Sequence, residues 1–202
     1  MTHLTKLIRN SSDRAIAQGV SKVIRDNSRL LKTNDIASLY EACYNEFNEI
    51  NYDVAIPMLT AILMDCGVNP MVHFQSTIPF CYASGIDFTR IVIPSNIEMI
   101  EASAFDSCES LEAIVIQDGN YTLYLDSYAF ANCTALKEVT LPNRIRAMTD
   151  GSFENCTNLR TINYLGTIEE WEKVKGSSYA FDGVPINVIH CIDGDTKLRV
   201  IK

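Results

Sequence analysis

The sequence predicts an α+β chain in which a small N-terminal helical bundle is followed by a short repeat solenoid with a parallel sheet and a capped C-terminus. Two observations carry this. Apolar residues recur at helical spacing through about the first 75 positions, and from Tyr82 onward the pattern changes to an internal repeat of 23–25 residues.

In the helical part, Ile16, Val20, Val23 and Ile24 fall on one face, with Asp13 expected as N-cap. Thr33 or Asn34 is expected to cap a second helix, whose stripe is Ile36, Leu39, Tyr40, Cys43, Tyr44 and Phe47. A third fits Val54 to Cys66, with Val54, Met58, Leu59, Ile62 and Leu63 inward. Pro57 would sit in its first turn, where no N–H is needed, and Gly67 would close it in the left-handed conformation. Asn69-Pro70 marks a turn, so the expected division is a helical domain over residues 1–77 and a repeat domain over 78–202.

The repeat shows in six columns. Phe105-x-x-Cys108-x-x-Leu111-x-x-Ile114-x-Ile116 recurs at Phe130, Cys133, Leu136, Val139 and Leu141, and again at Phe153, Cys156, Leu159, Ile162 and Tyr164. Tyr82-x-x-Gly85-x-x-Phe88-x-x-Ile91-x-Ile93 is a degenerate first copy. Ala104, Ala129 and Ser152 are the small residues before each Phe. The middle unit is two residues longer, at Asp118-Gly119-Asn120, an expected outer turn. One such unit cannot bury its apolar side alone; stacked units share a core. The expected product is about four units, each giving one strand to a parallel sheet, with the cysteines stacked as a buried ladder. Beyond Tyr164, Thr167 and Glu170 form a capping box around Trp171, Ala180-Phe181 restarts the motif, and Asp193-Gly194 is expected to turn a terminal strand into residues 197–201. The helices would cap one end and the Trp171 segment the other.

The run Ile93-Pro94, Ile97, Ile100, Ala104-Phe105, Cys108, Leu111, Ile114-x-Ile116 resembles the BspA-like leucine-rich-repeat family, in its short bacterial or phage form, over about residues 80–195. Gly166-Thr167…Trp171 and Val188 to Gly194 resemble that family's ending. The resemblance implies a leucine-rich-repeat solenoid and a role in adhesion, host contact or other protein binding. The N-terminal helices carry no such resemblance. Many family members are secreted surface proteins with many repeats, whereas this sequence shows about four and no export signal.

Composition is that of an ordinary globular chain, 47% hydrophobic and 21% charged, and the net charge of −8 disfavours direct contact with nucleic acid or an anionic membrane. Met1 to Asn10 lacks the apolar core of a signal peptide and no run is long enough to span a bilayer, so a cytoplasmic protein is expected, or one in a host cytoplasm or virion if phage-encoded. Seven cysteines without a C-x-x-C pair, with only three histidines, are poor material for a zinc site and are expected reduced. Neighbouring His190 and Cys191 point to opposite faces of a strand and cannot easily pair for catalysis. Asp193-Gly194-Asp195 lacks the rest of a calcium loop. With no nucleophile motif, phosphate loop or paired carboxylates, neither an enzyme nor a cofactor is expected.

What remains is the outward face of the repeat strands. Three columns are expected there: Thr89, Glu112, Lys137 and Arg160; Arg90, Ala113, Glu138 and Thr161; Val92, Val115, Thr140 and Asn163. Their mixed chemistry suits a protein partner and lacks the aromatic-plus-basic pattern of a single-strand binder. The expected function is a non-enzymatic adaptor or inhibitor binding a protein. The alternatives are a structural subunit of a larger assembly such as a phage particle, or an acidic mimic of nucleic acid that blocks a DNA-binding protein.

Overall fold

A computed structural model describes residues 2–33, 35–74, 77–79, 82–83, 86, 89–176 and 179–198, and leaves out the side chains of residues 48–50, 52 and 72–73. Five N-terminal elements, α1 (His3–Leu7), α2 (Ser11–Asp26), α3 (Ser28–Lys32), α4 (Ile36–Asp65) and a 3-10 turn (Pro70–His73), precede a parallel solenoid of about five turns. Helices α1, α2 and α3 all pack on α4.

Three helical expectations are corrected. The α2 N-cap is Asn10, not Asp13: Asn10 accepts from the Asp13 N–H, and the Asp13 carboxylate accepts from the Asn10 N–H, a reciprocal box that starts the helix three residues earlier. The cap of α4 is Asp35, whose carboxylate accepts from Ser38 N; Thr33 instead closes α3, and Asn34 lies outside the described residues. The second and third expected helices are one, with Pro57 in its interior. Pro57 costs one i→i−4 bond, which the apolar burial of Ala55, Ile56, Met58 and Leu59 on either side outweighs. The stripe is otherwise as read, except that Tyr44 is exposed and Phe47 half-buried. Phe47 explains the lone helical glycine: a Cβ on Gly19 would stand 2.8 Å from the Phe47 ring, so glycine lets α2 and α4 close. Gly67 ends α4 at φ +79°, with Val68 N bonded to Leu63 O and Gly67 N to Met64 O, a Schellman closure.

Each solenoid turn contributes two strands, where the sequence predicted one. β1 (Thr77–Ile78), β3 (Met99–Ile100), β5 (Leu123–Leu125), β7 (Ile145–Met148) and β9 (Lys175–Gly176) form a smaller parallel sheet. β2 (Arg90–Ile93), β4 (Ala113–Ile116), β6 (Glu138–Leu141), β8 (Thr161–Tyr164) and β10 (Val188–Cys191) form the larger one, the sheet expected from the repeat columns. Gly85 and Phe88 of the degenerate first copy lie outside the described residues.

Between the sheets runs the arc that carries Phe and Cys. Phe105, Phe130, Phe153 and Phe181 stack with centroids 5.0, 5.3 and 5.4 Å apart, close to the spacing of neighbouring strands. Phe181 thus completes a fifth turn, one more than the four units counted from Tyr82 to Tyr164. The cysteine ladder forms as expected, each thiol donating to a carbonyl of the preceding turn: Cys108 to Ala83 O (3.0 Å), Cys133 to Phe105 O (3.3 Å), Cys156 to Phe130 O (3.2 Å). Two residues past each Phe the backbone is left-handed, at Ser107, Asn132, Asn155 and Gly183. That column explains its Ser, Asn and Gly residues. Asn155 Nδ2 donates to Asn132 Oδ1, and Asn132 Nδ2 to Asp106 Oδ1, tying turn to turn.

Both ends are closed. At the start, Tyr40, Phe74 and Tyr82 pack with centroids 5.3–6.0 Å apart, and Tyr82 meets Phe105 edge-on. Buried Thr60 bonds to the Tyr40 hydroxyl and donates to the backbone carbonyl of Tyr82. At the far end α5 (Ile168–Trp171) carries the expected Thr167–Glu170 capping box, and Trp171 is buried edge-on to Tyr164. The terminal hairpin is shifted from expectation: β11 is Gly194–Lys197, antiparallel to β10, so Ile192 and Asp193 make the turn, and residues 199–201 lie outside the described residues. The Asp193 carboxylate instead accepts from Ile168 N, fixing the hairpin to α5.

Candidate partner-binding face

Alternation along each strand of the larger sheet sends Ile91, Ile93, Ile114, Ile116, Val139, Leu141, Ile162 and Tyr164 into the core. The intervening residues therefore face out, and the register lines them up. Arg90 pairs with Ala113, then Glu138, then Thr161; Val92 pairs with Val115, then Thr140, then Asn163. Thr89, Glu112, Lys137 and Arg160 form the third column just before the strands, joined by Glu112 N to Thr89 O, Lys137 N to Glu112 O and Arg160 N to Lys137 O. All ten residues singled out from the sequence (Thr89, Arg90, Glu112, Val115, Lys137, Glu138, Thr140, Arg160, Thr161, Asn163) are exposed or half-buried on one face. The helices close the end of the solenoid and leave this face open.

Several of these side chains engage each other. Lys137 Nζ lies 2.9 Å from Glu112 Oε2, and Asn163 Nδ2 donates to Glu138 Oε1 at 2.9 Å. Arg160 donates from one guanidinium nitrogen to the Thr157 and Leu159 carbonyls. Such exposed pairs contribute only about 0–1 kcal/mol, so a partner can replace them at small cost. His190 extends the Val92 column, since it pairs with Asn163, and its Nδ1 is 2.8 Å from Asp195 Oδ1. It was missed because the last repeat lacks the Leu-x-x-Ile spacing; its partner Asn163 was the available signal. At the opposite end of the face a groove of about 450 Å³ lies between β2 and the end of α4, lined among others by Met64, Val68, Met71, Arg90 and Val92.

The Cys43, Cys133 and Cys156 thiols and the Tyr40 and Tyr82 phenols are held neutral. Burial pushes the Cys43 thiol up to about 12 and the Cys156 thiol higher, while Cys133 is raised first by its bond to Cys108 and then by burial. Burial likewise raises Tyr40 and Tyr82. A protonated buried thiol is a poor nucleophile. Among the described residues no group of three or more His, Cys, Asp or Glu is placed to hold a metal ion.

Residues 76–198 match, in six copies, the family described as the BspA type leucine rich repeat region. Among solved structures, a leucine rich repeat protein of T. pallidum is 21% identical, with a TM-score of 0.38, over 47% of this chain and 56% of its own. A leucine rich cell surface protein of Faecalibacterium prausnitzii A2-165 is also 21% identical, with a TM-score of 0.26, over 44% of this chain and 35% of its own. The match therefore spans about half of the first and a third of the second. No curated protein matches the chain significantly.

Proposed function

The chain belongs to the BspA-type leucine-rich repeat family, and from that premise we propose that it is a non-enzymatic protein-binding module acting through the outward face of its larger sheet. The observation that supports this is the open face itself: three columns in register, exposed and covered by neither cap. Their mixture of Arg90, Lys137 and Arg160 with Glu112, Glu138 and hydroxyl groups offers a partner both charges and neutral donors. The same reading makes the protein an adaptor or inhibitor of bacterial or phage origin, working in the cytoplasm. No helix among the described residues is long and apolar enough to cross a membrane.

The experiment is a pull-down from the native cell with the wild type and with Lys137→Glu and Arg160→Glu. Loss of one protein from the captured set in both variants supports the face. Capture unchanged by either moves the binding site off this face.

A further inference from the structure

We infer that the smaller sheet carries a second docking surface, one that takes an arginine- or lysine-rich segment of a partner protein. Its outward positions, in register, are Met99, Tyr124, Ala147 and Lys175. Met99 and Tyr124 are 39% and 43% exposed, large apolar surfaces where a solvated sheet would carry polar groups.

Tyr128 follows on the next bend, 45% exposed and left-handed at φ 59°. Ser103 and Gly151 are left-handed at the same repeat position, two residues before Phe105 and Phe153, so the bend of each turn imposes this conformation. The Tyr128 ring lies against Gly151, where a Cβ would come within 2.5 Å of two ring carbons, and Glu154 Oε2 is 2.8 Å from the same point. A fixed aromatic ring and a carboxylate therefore meet over one backbone position, the pairing that a guanidinium or ammonium group uses when it stacks on a ring and bonds to an acid. A ring already held in place loses little freedom on binding.

Charge selects the occupant. Glu98, Glu101, Asp126, Asp150 and Glu154 surround Met99, Tyr124 and Tyr128, against Arg146 and Lys175 toward the last turns. Among the described residues Asp150 and Glu154 make no ion pair, while the Asp126 carboxylate accepts from Ser127 N and Thr149 Oγ1. On the larger sheet, by contrast, Glu112 is matched by Lys137. A basic extended segment would gain both aromatic contact and unmatched carboxylates; a nucleic acid would be repelled.

The test is fluorescence anisotropy of a labelled short arginine-rich peptide against the full chain at about 0.15 M salt, where loose attraction to a protein of net charge −8 is screened. Tyr124→Ala/Tyr128→Ala, which changes no charge, is expected to weaken binding by about tenfold or more, and Asp150→Asn/Glu154→Gln similarly. Glu109→Gln/Glu172→Gln removes as much charge from exposed positions outside both sheets and is expected to leave binding unchanged. Thermal melts of each variant verify folding. Three outcomes overturn the inference: a tyrosine variant that binds like wild type, an equal loss in the Glu109→Gln/Glu172→Gln control, or no peptide binding by the wild type. None of these variants touches Lys137 or Arg160, so this surface and the proposed face fail independently.

Discussion

Leu136 and Lys137 are adjacent, yet the first is fully buried and the second exposed. Leu136→Ala opens a cavity in the middle turn and is expected to cost about 2–5 kcal/mol. Lys137→Ala removes an exposed pair with Glu112 and is expected to change stability by less than about 1 kcal/mol. Urea denaturation of the two variants measures both; equal effects would mean that the strand faces are assigned the wrong way round. That assignment was legible because inward residues recur in columns. Arg144 was not, since it stands outside every column. It is 9% exposed, and it donates from Nε to Gln117 O at 3.1 Å and from one terminal nitrogen to Tyr121 O at 3.2 Å and to Ile97 O. Its other terminal nitrogen is buried with no partner among the described residues, while the charges of Asp118 and Glu98 oppose the effect of its burial. The two extra residues of the middle repeat are thus held by a buried cation rather than by a turn of their own. A lysine has no fork to reach three carbonyls, so Arg144→Lys is expected to cost about 1–3 kcal/mol and to speed proteolysis next to Tyr121. A variant cleaved and unfolded like wild type would show that the fork carries no stability.

At the scale of elements, the cysteine ladder makes two expectations concrete. Cys43, Cys108, Cys133 and Cys156 are buried and Cys66 is exposed. A maleimide is therefore expected to label Cys66 in the native chain and to reach the four buried thiols only in denaturant, as peptide mass spectrometry would show; Cys81 lies outside the described residues. The second expectation concerns pH. Cys43 and Cys156 titrate well above the 9.0 of an unperturbed thiol, so above that pH the unfolded chain gives up protons that the folded chain keeps. Their contribution is present in full below about pH 9 and falls as pH rises, by about 1.4 kcal/mol per pH unit for each thiol that ionises only on unfolding. Urea midpoints measured from pH 8 upward should decline, and Cys156→Ser should flatten part of the decline. The elements hardest to read from sequence are the strands of the smaller sheet. They are two to four residues long, and although Ile100, Leu125 and Met148 each stand five residues before a Phe, Leu123 breaks the spacing set by Ile97 and Ile145, where the middle turn slips its register between Leu123 and Tyr124. The aromatic surface they support was invisible for the same reason. The sequence starts a separate helix at Val54 because a proline ordinarily sits in a first turn, and nothing local to Pro57 signals the packing that keeps it inside α4.

For the whole molecule, the question is whether helices and solenoid unfold together. Residues 1–77 and 78–202 read as two domains in sequence, and arrays of repeats can lose cooperativity when turns interact only with their neighbours. The structure supplies the opposing term: one buried apolar cluster runs from Ile16 to Ile189 without a break. At the junction Tyr40, Phe74 and Tyr82 share a core, and Thr60 of α4 holds the Tyr82 carbonyl, so detaching the helices would expose the aromatic end of the stack and a buried hydrogen bond at once. Such an interface is expected to couple the two parts into a single transition. The chain has its own reporters for this. Its single tryptophan, Trp171, is buried in the far cap, while nearly all helical signal comes from α1–α4 at the other end. Urea curves followed by tryptophan fluorescence and by circular dichroism at the helical minimum should superimpose, with one midpoint and one slope. Thr60→Val, which keeps the shape of the side chain and removes its hydroxyl, should lower both midpoints together. If the helical signal instead melts first and Trp171 stays buried, the helices are an appended domain, and the solenoid holds its turns without them.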